Sequence, residues 1–441
     1  MTQRQCDRDS ASVARVHLAT GLMLLLAVCA YVCNSVITGI DVVSGCWNPK
    51  PIAGLPIGQA MVGMDGIRLV QHTRELVRDR SWVTRVAGYP EGSMASPFIF
   101  VLCLPLCPLS DLTAIIILMM LSSVALALAI MISAWLSCVA AREEWHACGS
   151  TTGAALAGAL VAIFMCFTSY SYFFAMERAN WHGLETLCSV TSVALLLVRR
   201  RWQLLQLLML SCAVHFKIYP IVLLPLFVLV QGLKVIPVFA LCYIPLCFCW
   251  GYDNALAYVS KVAEFSARAS AGPWAHDART FALWLVQERG YNQTLCWAIA
   301  AGLPLLMWAL GLLMTWFSGA TARRILLMYV ITVAVMSTMQ TLSWDYKLVI
   351  VYPSLALLLT MTAQDYGRHA RWADLLLIVM LMVLMAFIAR NQSFIQIFML
   401  RNKYPFIVLM QMIAFYKLMT SPARTQTDHS TGNVNVDIVA A

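Results

Sequence analysis

The residues with chemistry to offer fall in four short clusters. The first begins Asp65-Gly66-Ile67-Arg68, continues through Arg74 and Arg85, and closes on Gly88-Tyr89-Pro90 and Ser96-Pro97-Phe98. A carboxylate such as Asp65 can act as a general base if it reaches the hydroxyl it must activate. It also fills a helix N-cap well, and the two roles can hold together. The second cluster, Glu177-Arg178-Ala179-Asn180-Trp181-His182-Gly183, follows the aromatic residues Tyr170, Tyr172, Phe173 and Phe174. It reads either as an interfacial aromatic belt with its loop or as a sugar-binding surface. The third is His215-Phe216-Lys217-Ile218-Tyr219-Pro220, inside an otherwise apolar stretch. A lysine there either snorkels to the interface or meets an anion, and phosphate is the natural anion for a point-charge donor. The fourth, Ser343-Trp344-Asp345-Tyr346-Lys347, is an interfacial anchor or a contact to sugar and phosphate.

The elements that position these clusters follow from composition. Of 441 residues, 61% are hydrophobic and 12% charged, and the mean hydropathy is +0.76. A soluble domain carries about a quarter charged residues, and a disordered chain is rich in charge and poor in apolar residues. Both classes are excluded, which leaves an all-α polytopic membrane protein whose spans need about 20 apolar residues each. The net charge of +9 sits mostly in short loops between apolar runs. It reads as topogenic charge rather than a nucleic-acid surface, so no nucleic-acid partner is expected. The 15 cysteines are scattered through apolar runs, and the 8 histidines form no HExxH or Cys/His ligand spacing. No metal ion or other cofactor is therefore expected.

Twelve apolar runs can be counted: residues 17–38, 109–140, 151–174, 182–198, 203–215, 218–231, 234–250, 293–316, 325–343, 348–362, 372–389 and 404–419. The short Pro-bounded run Ser96–Cys107 reads as a re-entrant segment. Residues 1–16 are expected in the cytoplasm ahead of an uncleaved first span, residues 17–420 form the membrane domain, and 421–441 are a polar, disordered tail. With that orientation the short inner loops carry nine Lys and Arg against six outside, or twelve once Arg4, Arg8 and Arg15 are added, a positive-inside bias. The long loops 39–95 and 251–292 fall outside. In the first, Ile67, Leu69, Val70, Leu76 and Val77 recur at nearly helical spacing, which predicts an amphipathic interfacial helix. Asp41, Asp65, Glu177, Glu185, Asp253 and Asp345 all fall near outer span ends or in outer loops. A cation-coupled transporter usually holds carboxylates near the midplane, so this arrangement suits chemistry at the outer surface. Asn292-Gln293-Thr294 and Asn391-Gln392-Ser393 match the glycosylation sequon, which matters only in a secretory context.

In this order the clusters resemble the membrane glycosyltransferases of the GT-C superfamily, and glycosyltransferase family 87, the polyprenyl-phosphomannose-dependent mannosyltransferase type, most of all. The distinctive stretch is residues 177–229: a Glu-Arg-x-Asn start, an apolar span, a basic turn, a second span, then Lys217-x-x-Pro220 and a Leu-Leu-Pro run. Supporting matches are Asp65 with Gly88-Tyr89-Pro90, Ser96-Pro97-Phe98, and Ser343–Lys347 before Tyr352-Pro353.

The resemblance implies a GT-C-like bundle of about 10–13 transmembrane helices in a bacterial plasma membrane, with an extracytoplasmic active site. It implies inverting transfer of a sugar, mannose in this family, from a polyprenyl-phosphate donor to a lipid or glycan acceptor. Asp65 is the candidate base, with Asp41 in Gly39-Ile40-Asp41 the runner-up. Lys217, Arg178 and Lys347, with His215, are candidates for the phosphate; Glu177, Asn180, His182, Trp344, Asp345 and Tyr346 for the sugar. The competing readings are a transporter or flippase for a lipid-linked saccharide, and a non-catalytic scaffold.

Overall fold

The computed structural model describes residues 64–79, 95–145, 150–169, 171–172, 175, 180–199, 201–268, 276–339, 345–365, 372–386 and 403–421. The run 17–38, Asp41, Glu177, Arg178, Trp344, the Asn391 sequon and the tail beyond residue 421 lie outside the described residues.

Among the described residues the chain is helical throughout, in fifteen α-helices and three 3-10 segments. The α-helices are α1 (Met64–Asp79), α2 (Pro97–Cys103), α3 (Asp111–Trp145), α4 (Ser150–Phe167), α5 (His182–Val198), α6 (Gln203–Phe216), α7 (Leu224–Gln231) and α8 (Val235–Cys247). They continue as α9 (Tyr252–Arg268), α10 (Ala278–Arg289), α11 (Gln293–Ser318), α12 (Ala322–Thr338), α13 (Tyr352–Gln364), α14 (Trp372–Ala386) and α15 (Tyr404–Thr420). The 3-10 segments Leu104–Leu106, Tyr219–Leu223 and Asp345–Val351 sit at the joints before α3, α7 and α13.

Among the described residues, three helical segments are long and apolar enough to cross a membrane: Asp111–Ala141, Gln293–Ser318 and Lys347–Gln364. The bent pair Val235–Cys247 and Tyr252–Ser260 would make a fourth. Within those residues, which leave out the run 17–38, several other apolar runs fall short by length because breakers cut them. Pro220 and Pro225 start new helical segments where a longer helix would otherwise form, and Pro245 lies inside α8; proline removes a backbone donor and clashes with the preceding turn. Beyond α8 the chain turns by 103° into α9 through Gly251, whose φ of +93° is open to glycine at little cost. The described residues of the loop 251–292 include two helices, α9 and α10.

The core is built around α12 and α13, apolar and buried on nearly all sides, as a helix without a polar face must be. The outer helices do the reverse. On α3, Leu112, Ile116, Met120, Val124, Leu128, Met131 and Trp135 form one exposed apolar stripe. On α11, Leu295, Ile299, Leu303, Leu306, Leu310, Leu313 and Phe317 form another.

Opposite its stripe, α3 meets α5 through small residues. The Gly183 amide donates to Ser122 Oγ at 3.1 Å, and a Cβ on Gly183 would stand 1.9 Å from the Ser122 carbonyl oxygen. Gly183→Ala must push the two backbones apart. We expect it to lower stability by about 3 kcal/mol, the upper range for overpacking, read as a fall in the detergent-solubilised melting temperature.

One end of α13 is closed by Asp365, which accepts from Arg323 through both carboxylate oxygens (3.0 and 2.5 Å) and from Lys417 Nζ at 3.4 Å. Beside it Gln364 Nε2 donates to Ser137 Oγ at 2.9 Å. The other end of the Lys347–Gln364 segment carries the site described next.

Candidate functional site

Helix α5 begins with His182 and Glu185, three residues apart and so on one face of the first turn. Both are buried, at 0% exposure. Helix α6 ends at Phe216 and Lys217 adopts an extended backbone (φ −153°, ψ 138°). Pro220 then enforces a 3-10 turn over Tyr219–Leu223, since the residue before a proline resists the α conformation. This break turns Tyr219 toward α5. Its hydroxyl donates to Glu185 Oε2 at 2.6 Å. His182 Nδ1 lies 3.1 Å from the same Oε2 and 3.0 Å from the Tyr219 oxygen. Tyr219 has one proton and spends it on Glu185, so the trio closes when His182 carries its proton on Nδ1.

Two lysines bring charge to this trio. Lys217 and Lys347, 130 positions apart in sequence, both act electrostatically on His182 and on Glu185. Tyr329 of α12 lies within electrostatic reach of Glu185 as well. The cluster therefore brings two ammonium groups into electrostatic reach of one buried carboxyl. Glu185 Oε1 is buried with no hydrogen-bond partner among the described residues. Such an orphaned acceptor costs about 1–3 kcal/mol.

The depth of the cluster follows from α3. Gly183 meets Ser122, eleven residues beyond Asp111 at the start of α3, which at about 1.5 Å per residue is about 16 Å along that helix. The space toward Asp111 is occupied by α1 and α2. Val70 of α1 shares an apolar cluster with Ile99, Cys103, Leu118, Trp181 and Phe216. Trp181 and Phe216, stacked at 5.6 Å, immediately precede His182 and stand one residue before Lys217. The helix that carries Asp65 thus shares an apolar cluster with the residues that precede His182 and Lys217.

Its attachment is polar at the outer edge. Arg74 donates to Asp111 Oδ1 (2.6 Å), Cys107 O (2.9 Å) and Leu109 O (2.6 Å), and Gln71 donates to Asp111 Oδ2 at 3.1 Å. The buried face of α1 is Val70, His72, Thr73 and Leu76, while Val77 points outward. His72 is 5% exposed with neither ring nitrogen partnered among the described residues, and its ring faces Phe100 at 6.5 Å. Burial first, and the Arg68 charge second, hold its pKa down to about 4 from 6.5.

A base whose docked pKa is depressed takes up its proton more easily once released. Docking of α1 is therefore at full strength above pH 6.5 and weakens as pH falls from 6.5 toward 4. Hydrogen exchange over residues 64–79, corrected for intrinsic rates, should show more opening at pH 5 than at pH 7. His72→Phe should remove that difference.

The sequence candidates divide as follows. His182, Lys217 and Lys347 are brought together. Asn180 is buried one residue before Trp181, its amide donating to Ala175 O at 3.2 Å. The backbones of Asp65, Asp345 and Tyr346 are placed in α1 and in the 3-10 segment that carries Lys347; their side chains lie outside the described atoms. His215 stands apart from the cluster. Its Nε2–H donates to Tyr243 O at 3.1 Å, leaving Nδ1 to accept from Ser96 Oγ at 2.5 Å, and its ring stacks on Tyr243 at 4.4 Å. It pins α2 and α8 to α6 instead of joining the trio.

Glu185 and Tyr219 were not among the sequence candidates. The signal was there: a His and a Glu at i, i+3 opening a helix, and a tyrosine before the proline that breaks the next one. Among the described residues no three His, Cys, Asp or Glu side chains gather as a metal site. No protein-family model matches this chain, and a search of curated proteins finds no match.

Proposed function

We propose that the protein is a membrane-embedded, inverting glycosyltransferase of the GT-C type, transferring a sugar from a polyprenyl-phosphate donor to a lipid or glycan acceptor at the extracytoplasmic face. Mannose is the sugar the family resemblance favours. The observation that carries the reading is the convergence of Lys217 and Lys347 on the buried His182–Glu185–Tyr219 trio. Two ammonium groups suit a phosphodiester, which carries one negative charge. The match improves as the sugar leaves and the phosphate gains a second charge, which is where fixed cations assist most. The exposed apolar stripes of α3 and α11 support a lipid surround, since lipid tails are as apolar as leucine.

In this reading Asp65, or Asp41 as the runner-up, draws the proton from an acceptor hydroxyl. The hydroxyl oxygen attacks the anomeric carbon from the side opposite the phosphate. The bond from that carbon to the phosphate oxygen breaks, and its electron pair stays on the phosphate, held by Lys217 and Lys347 with Arg178. The sugar passes through an oxocarbenium-like state against Asn180, His182 and the segment Trp344–Tyr346, with Glu177 as a further contact. No metal ion has a part in these steps.

One observation favours the second reading, a flippase or transporter for a lipid-linked saccharide. Glu185 is buried at a helix start that meets α3 about 16 Å along that helix, deeper than its place at a span end implies, and buried acids within spans often serve transport. The two readings separate in proteoliposomes given labelled polyprenyl-phosphate mannose and membrane-lipid acceptors. Label moved onto acceptor supports the transferase; flipping of intact donor with no transfer supports the transporter and refutes our first reading.

A further inference from the structure

Glu185 is the buried group that the transfer chemistry above leaves unused. Its carboxylate is half engaged. Oε2 takes the Tyr219 hydroxyl at 2.6 Å and lies 3.1 Å from His182 Nδ1, which fixes the plane of the group. Oε1 is equally buried and has no hydrogen-bond partner among the described residues. Buried polar atoms are nearly always satisfied, and one that is not calls for an explanation such as a bound group. The neighbours narrow the choice. Two ammonium groups act on the same carboxylate, so a second anion would be repelled by Glu185 itself and must bind on the lysine side. What an orphaned carboxyl oxygen takes beside those ammonium groups is a neutral hydroxyl.

We infer that Glu185 Oε1 is a sugar-recognition site: it accepts a hydrogen bond from one hydroxyl of the donor's sugar while Lys217 and Lys347 hold the donor's phosphate. Tyr219 and His182 are positioning residues that lock the carboxylate in the accepting orientation. This rests on the lipid-linked sugar reading and adds to it a residue that chooses between sugars. A site built to bond a hydroxyl discriminates strongly against an analogue lacking it, because its own buried group is then left unpaired.

The test is equilibrium binding to purified full-length protein in detergent, with three probes: sugar-free polyprenyl phosphate, polyprenyl-phosphate mannose, and its monodeoxy analogues. Glu185→Gln keeps the shape and removes the charge. We expect it to weaken binding of the mannosylated donor by about tenfold or more while leaving sugar-free polyprenyl phosphate unweakened. One monodeoxy analogue should bind wild type and variant alike, because the bond it lacks is the one the variant has lost. Should Glu185→Gln not fold, Tyr219→Phe frees the carboxylate to turn and should show a smaller loss with the same analogue dependence. Equal losses across all three probes, or no loss at all, would overturn the role of Glu185 while leaving the lipid-phosphate reading in place. If wild type binds neither the sugar-free nor the mannosylated lipid, the reading beneath it falls too.

Discussion

Replacing Lys217 and Lys347 together by glutamine is expected to lower transfer by about a thousandfold or more, the largest loss of any change outside the catalytic carboxylate. The reasoning is electrostatic. Removing one fixed donor from a site of developing negative charge costs about 10²–10³ in rate, and on the proposed reading these two hold one phosphate. The single variants should not add. Both lysines act on the same buried carboxyl, so their substitutions are coupled. The replacement also leaves Glu185 as an uncompensated buried charge, which is destabilising in its own right. Each variant's melting temperature must therefore be measured alongside. A triple variant that adds Glu185→Gln separates the effects: it should regain stability without regaining transfer. Full transfer by the double variant, properly folded, would remove the phosphate role from both lysines.

Much of this arrangement was legible in the sequence, and the gaps have physical causes. The run 182–198 is α5 to the residue, and 203–215 falls one residue short of α6, because each is a plain apolar stretch stopped by a polar turn. The amphipathic reading of residues 64–82 is met over Met64–Asp79, where Val70 and Leu76 face inward, although Val77 of the same pattern faces out. The loop 251–292 concealed α9 and α10, since Ser260, Lys261 and Glu264 interrupt its apolar positions and the 103° turn at Gly251 breaks its continuity with α8.

The site was half visible. Lys217 stands out in the sequence as a lysine in an apolar stretch, and Lys347 as part of the polar cluster Ser343–Lys347 at a span end. That His215 parts from Lys217 could not be read, because it depends on α6 ending between them at Phe216. Nor could the depth of Glu185. It opens a helix, which along the chain looks like a surface position. Only the packing of Gly183 on Ser122, well inside α3, carries that helix end into the interior.

The second large effect concerns Asp65. Its helix is docked on the start of α3 by Arg74 and Gln71 and joins the apolar cluster of Trp181 and Phe216 through Val70; on the proposed reading it brings the catalytic base to the acceptor hydroxyl. Loss of a general base costs about 10²–10⁴ in rate. Asp65→Asn keeps the size and hydrogen-bonding outline of the side chain, so it should spare both the fold and donor binding. Asp41→Asn, the comparison, should keep most of its activity if Asp65 is the base.

The most direct measurement is the initial rate of label transfer from polyprenyl-phosphate mannose to acceptor lipid by purified wild type and Asp65→Asn, with donor binding recorded on the same samples. The account predicts transfer by wild type, and in the variant a fall of at least about a hundredfold with donor affinity unchanged. Equal transfer by the two proteins, or a wild type that binds the donor and never transfers its sugar, would contradict it.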